Sequence, residues 1–402
     1  MKINIKHNII YTILTIYALF FNTERFIYLG IPIVLASYII LTIDSNKNFS
    51  IQFDPLTRSL LFILFFMMSI SLVVILFKLT ELGTINYVFK EAARLIIYIA
   101  IIQCMNFINI SNKLYINVWR ALLCVVVLVS IIQYTKIYDV NSFLKSLYGD
   151  SVQYYNVEHD SLSSFRSGSI FVNPNVCVTF LCSFLGMYLN YINHIRENNI
   201  FKILTLFILL FGILLTGSRT GMVVTLLLLF VNFIRLYKEN KIRFYSLFLF
   251  LISCILIVLI FIPNVYYSDF RTFQFSQGLD NSISIKLDIW QRLLMQMNPI
   301  NVLVGYAPFN YQSRSLMVDF DFGYFTMYYG LCGILIYFLL IHSILKYKSS
   351  IKNKLRKGFN INLLLIFIVF GLTASIYFNL RIFVLCELLF CVSFSNGKDS
   401  LV

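Results

Sequence analysis

Residues 59–77 read SLLFILFFMMSISLVVILF, an apolar run without a single charged side chain. A helix of about 20 apolar residues is long enough to cross the hydrocarbon core of a bilayer. Similar runs recur along the whole chain of 402 residues, of which 59% are hydrophobic and only 12% are charged. Because a soluble domain carries about 25% charged residues, this composition excludes a soluble globular enzyme.

The pattern predicts an all-α, polytopic integral membrane protein with about twelve transmembrane helices, within a range of about 10 to 13. We expect one transmembrane domain over residues 1–402. Two long polar stretches interrupt it at 135–168 and 263–322, and the second contains an amphipathic helix at about 284–297. The predicted spans are 8–22, 26–43, 59–79, 92–109, 115–134, 169–192, 202–217, 220–236, 244–262, 323–345, 360–378 and 381–395.

The distribution of charge predicts the orientation. With the N-terminus inside, the inside loops hold 19 Lys and Arg against five Asp and Glu, whereas the outside segments hold 13 against 12. Basic residues accumulate in short cytoplasmic loops, so we predict that both termini are cytoplasmic and that both long polar stretches lie outside. The net charge of +14 is then mostly a consequence of topology, and nucleic acid is not expected as a partner.

No metal centre, disulfide or other cofactor is expected. The eight cysteines all lie within apolar segments, where Cys behaves as a small hydrophobic residue. The chain has no CxxC pair and no HExxH motif, and its four histidines are scattered.

Two arginines on the predicted outer face are candidate anion ligands. Arg166 precedes a helix that enters the membrane, and Arg219 lies in a short turn between two apolar helices. A helix N-terminus and a guanidinium group both favour an anion, and an ionisable group so near the hydrocarbon is a functional candidate. Alternatively, both side chains contact lipid headgroups. The GxxxG spacing of Gly217 and Gly221 is more typical of close helix packing.

The second long stretch adds further candidates. Asp319 and Asp321 precede a predicted helix, where an Asp is either a helix cap or a general base. The amphipathic helix either contributes to binding or serves as a stabilising lid. The remaining candidate ligands of a diphosphate or glycan are Arg271, Lys286, Trp290, Arg292 and Arg314.

Three segments together resemble the O-antigen polymerase and ligase superfamily. Phe165–Asn175, FRSGSIFVNPN, is similar to its R-x-x-G…NPN entry, and Leu215–Gly221, LTGSRTG, is similar to its T-x-S-R-x-G turn. The run from Lys286 through Trp290 to Gly305 resembles its R-x-x-x-W…G-x-G segment. It is followed by Asp319 and by Gly330-Leu-Cys-Gly333, similar to the acidic or His-containing entry of a G-x-x-G helix. The resemblance covers about residues 160–345.

The chain departs from this family pattern in three places. Lys286 stands where the family usually has Arg, and Lys acts as a point charge rather than as a bidentate ligand. The G-x-G segment is reduced to Gly305-Tyr-Ala. No His stands where ligases use one before the G-x-x-G helix, which favours a polymerase.

The resemblance implies a metal-independent glycosyltransferase of the inner membrane. Its donor would be an undecaprenyl-diphosphate-linked oligosaccharide, and its partners would be membrane lipid, with a flippase and a chain-length regulator of the same pathway. Arg166 and Arg219 would stabilise the departing diphosphate, with Lys286 and Arg271 next, and Asp319 or Asp321 would activate the acceptor hydroxyl. The alternatives are an O-antigen ligase, a flippase for lipid-linked oligosaccharides, and a structural membrane scaffold.

Overall fold

The computed structural model describes residues 5–21, 27–44, 55–79, 83–135, 140, 142–144, 167–171, 173–191, 197–238, 279–309, 320–349, 354–374, 376–377, 379–390 and 393–394. Over these residues the elements are helices, apart from one pair of two-residue parallel strands. The prediction of an all-α architecture is therefore confirmed. The predicted span 244–262 lies outside the described residues.

The helices follow one another along the chain with short connections where these are described. The first α-helix, Ile5–Ile16, continues into a π-helical turn, Tyr17–Phe21, and a 3₁₀ turn, Ser169–Phe171, precedes the helix Pro174–Tyr191. Strand β1 (Asn109–Ile110) pairs with β2 (Ser393–Phe394). The α-helices are α1 (Ile5–Ile16), α2 (Ile27–Asp44), α3 (Pro55–Leu76), α4 (Ile85–Phe107), α5 (Asn112–Thr135), α6 (Pro174–Tyr191), α7 (Asn199–Leu215), α8 (Arg219–Lys238), α9 (Leu279–Gln296), α10 (Pro299–Val304), α11 (Asp321–Ser349), α12 (Lys354–Thr373) and α13 (Leu380–Phe390).

Three of the described helices are long and apolar enough to cross a membrane. They cover Thr57–Leu76, Lys113–Thr135 and Asp321–Ser343, and six shorter apolar helices accompany them. On α3, Phe65 is 73% exposed, as suits a face in contact with lipid. The number of twelve spans stays a prediction.

The chain divides into two compact units. Unit 1 comprises residues 1–122 and 283–402, and unit 2 comprises residues 123–282. In unit 1, α4 packs against α2, α3 and α13, while α11 packs against α3, α10 and α12. In unit 2, α6 packs against α7 and α8. The predicted single transmembrane domain is not tested by this division.

At one end of unit 1, its N-terminal segments contact its C-terminal segments. The β1–β2 pair joins the segments that follow α4 and α13. The Tyr115 hydroxyl donates a hydrogen bond to the Leu389 carbonyl over 2.5 Å, and the Tyr11 hydroxyl donates to the Leu388 carbonyl over 3.2 Å. The two strands, Tyr11 and Tyr115 are predicted to lie at or near the cytoplasmic ends of their spans.

Candidate functional site

Helices α6 and α8 of unit 2 run parallel and begin at the same end. Near their starts, a Cβ atom on Gly221 would collide with Val178, so the two helices are in close contact there. The Cys182 Sγ lies 3.6 Å from the Gly221 carbonyl oxygen, and at the far ends Arg235 donates a hydrogen bond to Asn190. Gly221 therefore serves close helix packing, as its GxxxG spacing favours.

Both helices start with a side-chain cap. The Asn173 Oδ1 accepts a hydrogen bond of 2.8 Å from the N–H two residues later, and Pro174 is the first residue of α6. The Ser218 Oγ accepts one of 3.3 Å from the Gly221 N–H, and Arg219 is the first residue of α8. Neither helix has an acidic residue in its first turn. Since helix N-termini carry positive partial charge, this end of the pair favours an anion.

A buried hydrogen-bond network fixes the segment that enters α6. The Ser167 N–H donates to the Leu215 carbonyl at the end of α7 over 2.9 Å. The Gln133 Oε1 accepts from the Ser167 hydroxyl at 2.7 Å and from the Ser169 N–H at 2.9 Å. The Ser169 hydroxyl in turn donates to the Val126 carbonyl over 2.6 Å. The two arginine-containing segments of the sequence are thus joined by a backbone hydrogen bond, and side-chain bonds tie the first of them to α5.

The C-terminal end of α7 meets the same turn, but the carbonyls of its last three residues are occupied. They accept hydrogen bonds from the N–H groups of Thr216 at 3.2 Å, Gly217 at 3.0 Å and Ser167 at 2.9 Å. Gly217 has a positive φ of 60°, which glycine adopts at no steric cost. These bonds offset the negative end of α7, so its dipole opposes an anion less than bare carbonyls would.

The structure brings the two arginine-containing segments together without describing the guanidinium groups. Arg219 begins α8, but its side chain lies outside the described residues. Arg166 also lies outside them, next to the described Ser167. Their role as anion ligands therefore stays a prediction.

In unit 1, Asp321 joins the start of α11 to the segment between α12 and α13. Its buried carboxylate accepts hydrogen bonds from the N–H groups of Ile376 at 3.0 Å and Tyr377 at 2.9 Å. Its own N–H donates to the Ala374 carbonyl over 3.2 Å. We call Thr373, Ala374, Ile376 and Tyr377 the α12–α13 junction. The observed bonds of Asp321 hold this junction in place.

Helix α9 occupies the region in which the amphipathic helix is predicted, and it is docked by two polar contacts. The Lys286 Nζ donates to the carbonyl of Thr373, the last residue of α12, where a cation is favourable. The Trp290 Nε1–H donates to the Thr326 Oγ1 over 3.2 Å, and its ring centroid lies 5.3 Å from that of Phe322. Lys286 and Trp290 thus both contact neighbouring helices of unit 1.

The two glycine motifs of unit 1 lie where backbone segments are in direct contact. Helix α11 is kinked at Gly330, where φ is 59° and ψ is −141°. Just before the kink, the carbonyls of Met327 and Tyr328 accept hydrogen bonds of 3.0 Å from the N–H groups of Tyr306 and Ala307. A Cβ atom on Gly330 would lie 2.5 Å from the Val302 carbonyl oxygen. Ala307 has a positive φ of 55°, at the place where the family pattern has its second glycine.

Sequence patterns do not single out three buried polar residues that the structure reveals. Gln133 lies in the predicted span 115–134, where a Gln near a span end is a usable signal. Glu91 and Arg94 form an ion pair of 2.9 Å on α4, and both are largely buried.

The other predicted site residues are placed as follows. Arg292 is exposed on α9. Among the described residues, no three His, Cys, Asp or Glu side chains come together as metal ligands. Three more candidates lie outside the described residues, namely Arg271, Arg314 and Asp319.

Comparison with known protein families gives a match to part of the chain. Residues 204–325 match the family model described as O-antigen ligase. The match runs from α7 to the start of α11, and it contains Arg219, Lys286, Trp290 and Asp321. No curated protein matches the chain. The resemblance to the O-antigen polymerase and ligase superfamily is therefore confirmed over these residues, and the apolar helices indicate a membrane protein.

Proposed function

We propose, on the premise of the O-antigen ligase family match over residues 204–325, that the protein polymerises undecaprenyl-diphosphate-linked oligosaccharide repeat units. The product is O-antigen, capsular or related surface polysaccharide. The observation that carries the proposal is the Ser167–Leu215 hydrogen bond, which joins the two arginine-containing segments where α6 and α8 begin. This end of the helix pair is suited to a diphosphate.

The reaction is a glycosyl transfer between two lipid-linked chains. A hydroxyl group of the acceptor attacks the anomeric carbon of the donor, the bond from that carbon to the diphosphate oxygen breaks, and undecaprenyl diphosphate leaves with the electron pair. Arg166, Arg219 and the helix N-termini stabilise the negative charge that builds on the diphosphate. The chemistry that these cations supply is electrostatic, and we propose that no metal takes part.

The acceptor hydroxyl loses its proton to a carboxylate. Both oxygens of Asp321 accept backbone hydrogen bonds within unit 1, so we assign the proton-accepting role to Asp319 and a positioning role to Asp321. The absence of a His before the Gly330–Gly333 motif favours a polymerase over a ligase. The ligase remains the second candidate because the matching family model is described as O-antigen ligase.

We propose that the chemistry takes place on the outer face of the cytoplasmic membrane, with both termini inside. The contacts within each unit support this orientation of the spans, because they pair segments predicted on the same side of the membrane. Residues predicted in outside segments or at the outer ends of spans are paired by Thr84–Pro308, Lys286–Thr373, Asp321–Tyr377 and Ser167–Leu215. Residues predicted at or near the inner ends of spans are paired by β1–β2.

The decisive experiment is the polysaccharide profile of a deletion strain complemented with the wild-type protein or with Arg166→Ala. A polymerase predicts single repeat units on the final acceptor in the deletion strain and a restored ladder only with the wild-type protein. Immunoblotting of membranes must show equal amounts of both proteins. If the deletion strain instead accumulates long lipid-linked chains without transfer to the acceptor, the protein is a ligase. If the deletion strain has the same polysaccharide profile as the wild-type strain, both candidates are overturned.

A further inference from the structure

Helix α4 lies in the N-terminal half of the chain, which the family match does not cover. It presents a polar face to the core of unit 1. Glu91, Arg94 and Tyr98 lie at i, i+3 and i+7, on one side of the helix, and all three are largely buried. A buried ion pair gains little stability over apolar residues of similar volume. Ionisable groups among membrane helices are typical of functional positions.

This face of α4 contacts the α12–α13 junction. The Tyr98 hydroxyl donates a hydrogen bond of 2.7 Å to the Tyr377 carbonyl, and its ring stacks on Phe383 with centroids 4.0 Å apart. The rings of Tyr98 and Tyr377 also lie edge to face, with centroids 5.8 Å apart. Tyr98 therefore contacts both the backbone and the ring of Tyr377.

Tyr377 is consequently held from two sides. Its carbonyl accepts from Tyr98 of α4, and its N–H donates to Asp321 at the start of α11. Asp321 is two residues from Asp319 in the chain. Through Lys286, helix α9 is tied to Thr373 of the same junction. Displacement of Tyr377 would thus be transmitted to the start of α11.

We infer that Tyr98, on the same face of α4 as the Glu91–Arg94 pair, is a positioning residue that orients the start of α11 for the transfer reaction. The inference rests on the proposed function, since it extends the reaction machinery to the N-terminal helices. Tyr98 acts through Tyr377 and Asp321 of unit 1, whereas Arg166 and Arg219, which we assign to the diphosphate, belong to unit 2. Its loss should therefore lower turnover while leaving the affinity for the donor unchanged.

The test compares Tyr98→Phe with Tyr115→Phe. Each substitution removes one buried hydroxyl that donates to a backbone carbonyl, but Tyr115 does so at the opposite end of unit 1, with Leu389. Polymerisation is measured with purified protein in nanodiscs and with lipid-linked repeat units extracted from the deletion strain. We expect kcat to fall about fivefold for Tyr98→Phe at unchanged KM, as for the loss of one hydrogen bond, and to stay unchanged for Tyr115→Phe.

A second comparison uses the coupling between two contacts of Tyr377. Because Tyr98 and Asp321 hold the same residue, the effects of Tyr98→Phe and Asp321→Asn on kcat should be less than multiplicative in the double variant. Equal kcat for Tyr98→Phe and Tyr115→Phe would overturn the inference, and so would fully multiplicative effects in the double variant. In either case, polymerisation by the wild-type protein would still support the proposed function. A wild-type protein that neither polymerises nor transfers the repeat units would overturn the proposed function itself.

Discussion

Residues of the motifs that resemble the O-antigen polymerase and ligase superfamily lie at the helix starts of unit 2 and contact the α12–α13 junction of unit 1. Their polar groups have different partners in the two places. In unit 2, Asn173 and Ser218 cap helices whose positive ends have no acidic residue in the first turn. In unit 1, Asp321 and Lys286 bond to backbone groups of neighbouring segments. The difference agrees with the proposed anion-binding role of the unit 2 motifs, whereas most of those in unit 1 hold helices together.

The largest effect is expected from Gly330→Ala, which tests the packing role of unit 1. The new Cβ would approach the backbone of Val302 and Leu303 at a φ of 59° that favours glycine. Because backbone cannot move aside as a side chain can, we expect a loss of more than about 3 kcal/mol of stability. The measurement is the amount of protein that stays monodisperse in detergent after heating.

Gly212→Ala is the matched control, since the nearest atoms to a Cβ there belong to the side chains of Val127 and Leu181. A side chain can shift more readily than backbone, so we expect a smaller loss. Equal losses for both variants would contradict the backbone docking at Gly330.

The next largest effect concerns the anion-binding role of unit 2. Arg219→Ala removes a cation from the start of α8 and should lower polymerisation about 100-fold, comparable with the loss of one transition-state donor. Arg235→Ala, near the other end of the same helix, should lower it less than about twofold. The measurement is the rate of chain extension at equal amounts of folded protein. Similar rates for the two variants would assign Arg219 to lipid headgroups instead.

The effect of Gln133→Leu should be intermediate. The substitution leaves the Ser167 hydroxyl and the Ser169 N–H without their shared acceptor, which costs about 1–3 kcal/mol and loosens the segment that follows Arg166. We therefore expect a lower melting temperature together with reduced polymer yield.

Gln103→Leu provides the control in unit 1. Gln103 is also buried and donates to the Thr57 Oγ1 over 2.9 Å. Its substitution should lower the melting temperature without reducing the polymer yield of the remaining folded protein. If both Gln variants reduce that yield equally, the Ser167–Ser169 network does not position Arg166.

The contrast between the units also shows what the sequence could predict. The starts of α6 and α8 follow from local signals, namely Asn-Pro-Asn and a Ser before Arg219, because capping involves residues close in sequence. The partners of Gln133 and Asp321 are 34 and 56 residues away, and such contacts depend on how helices pack. Periodicity therefore predicted helices and candidate residues but not the tertiary contacts of Asp321.

The smallest effect is expected from Ala307→Gly, which restores the glycine of the family pattern. Ala307 adopts a φ of 55°, which costs a non-glycine residue about 1–2 kcal/mol. Glycine removes this cost but adds about 0.5–1 kcal/mol of entropy to the unfolded chain, so we expect a net gain of about 0.5 kcal/mol. Ala374→Gly, at a buried alanine without a positive φ, should instead lower stability by about 1 kcal/mol. Thermal unfolding in detergent measures both changes. A destabilised Ala307→Gly variant would mean that contacts of the methyl group outweigh the backbone strain, and that the shortened glycine motif is compensated by packing.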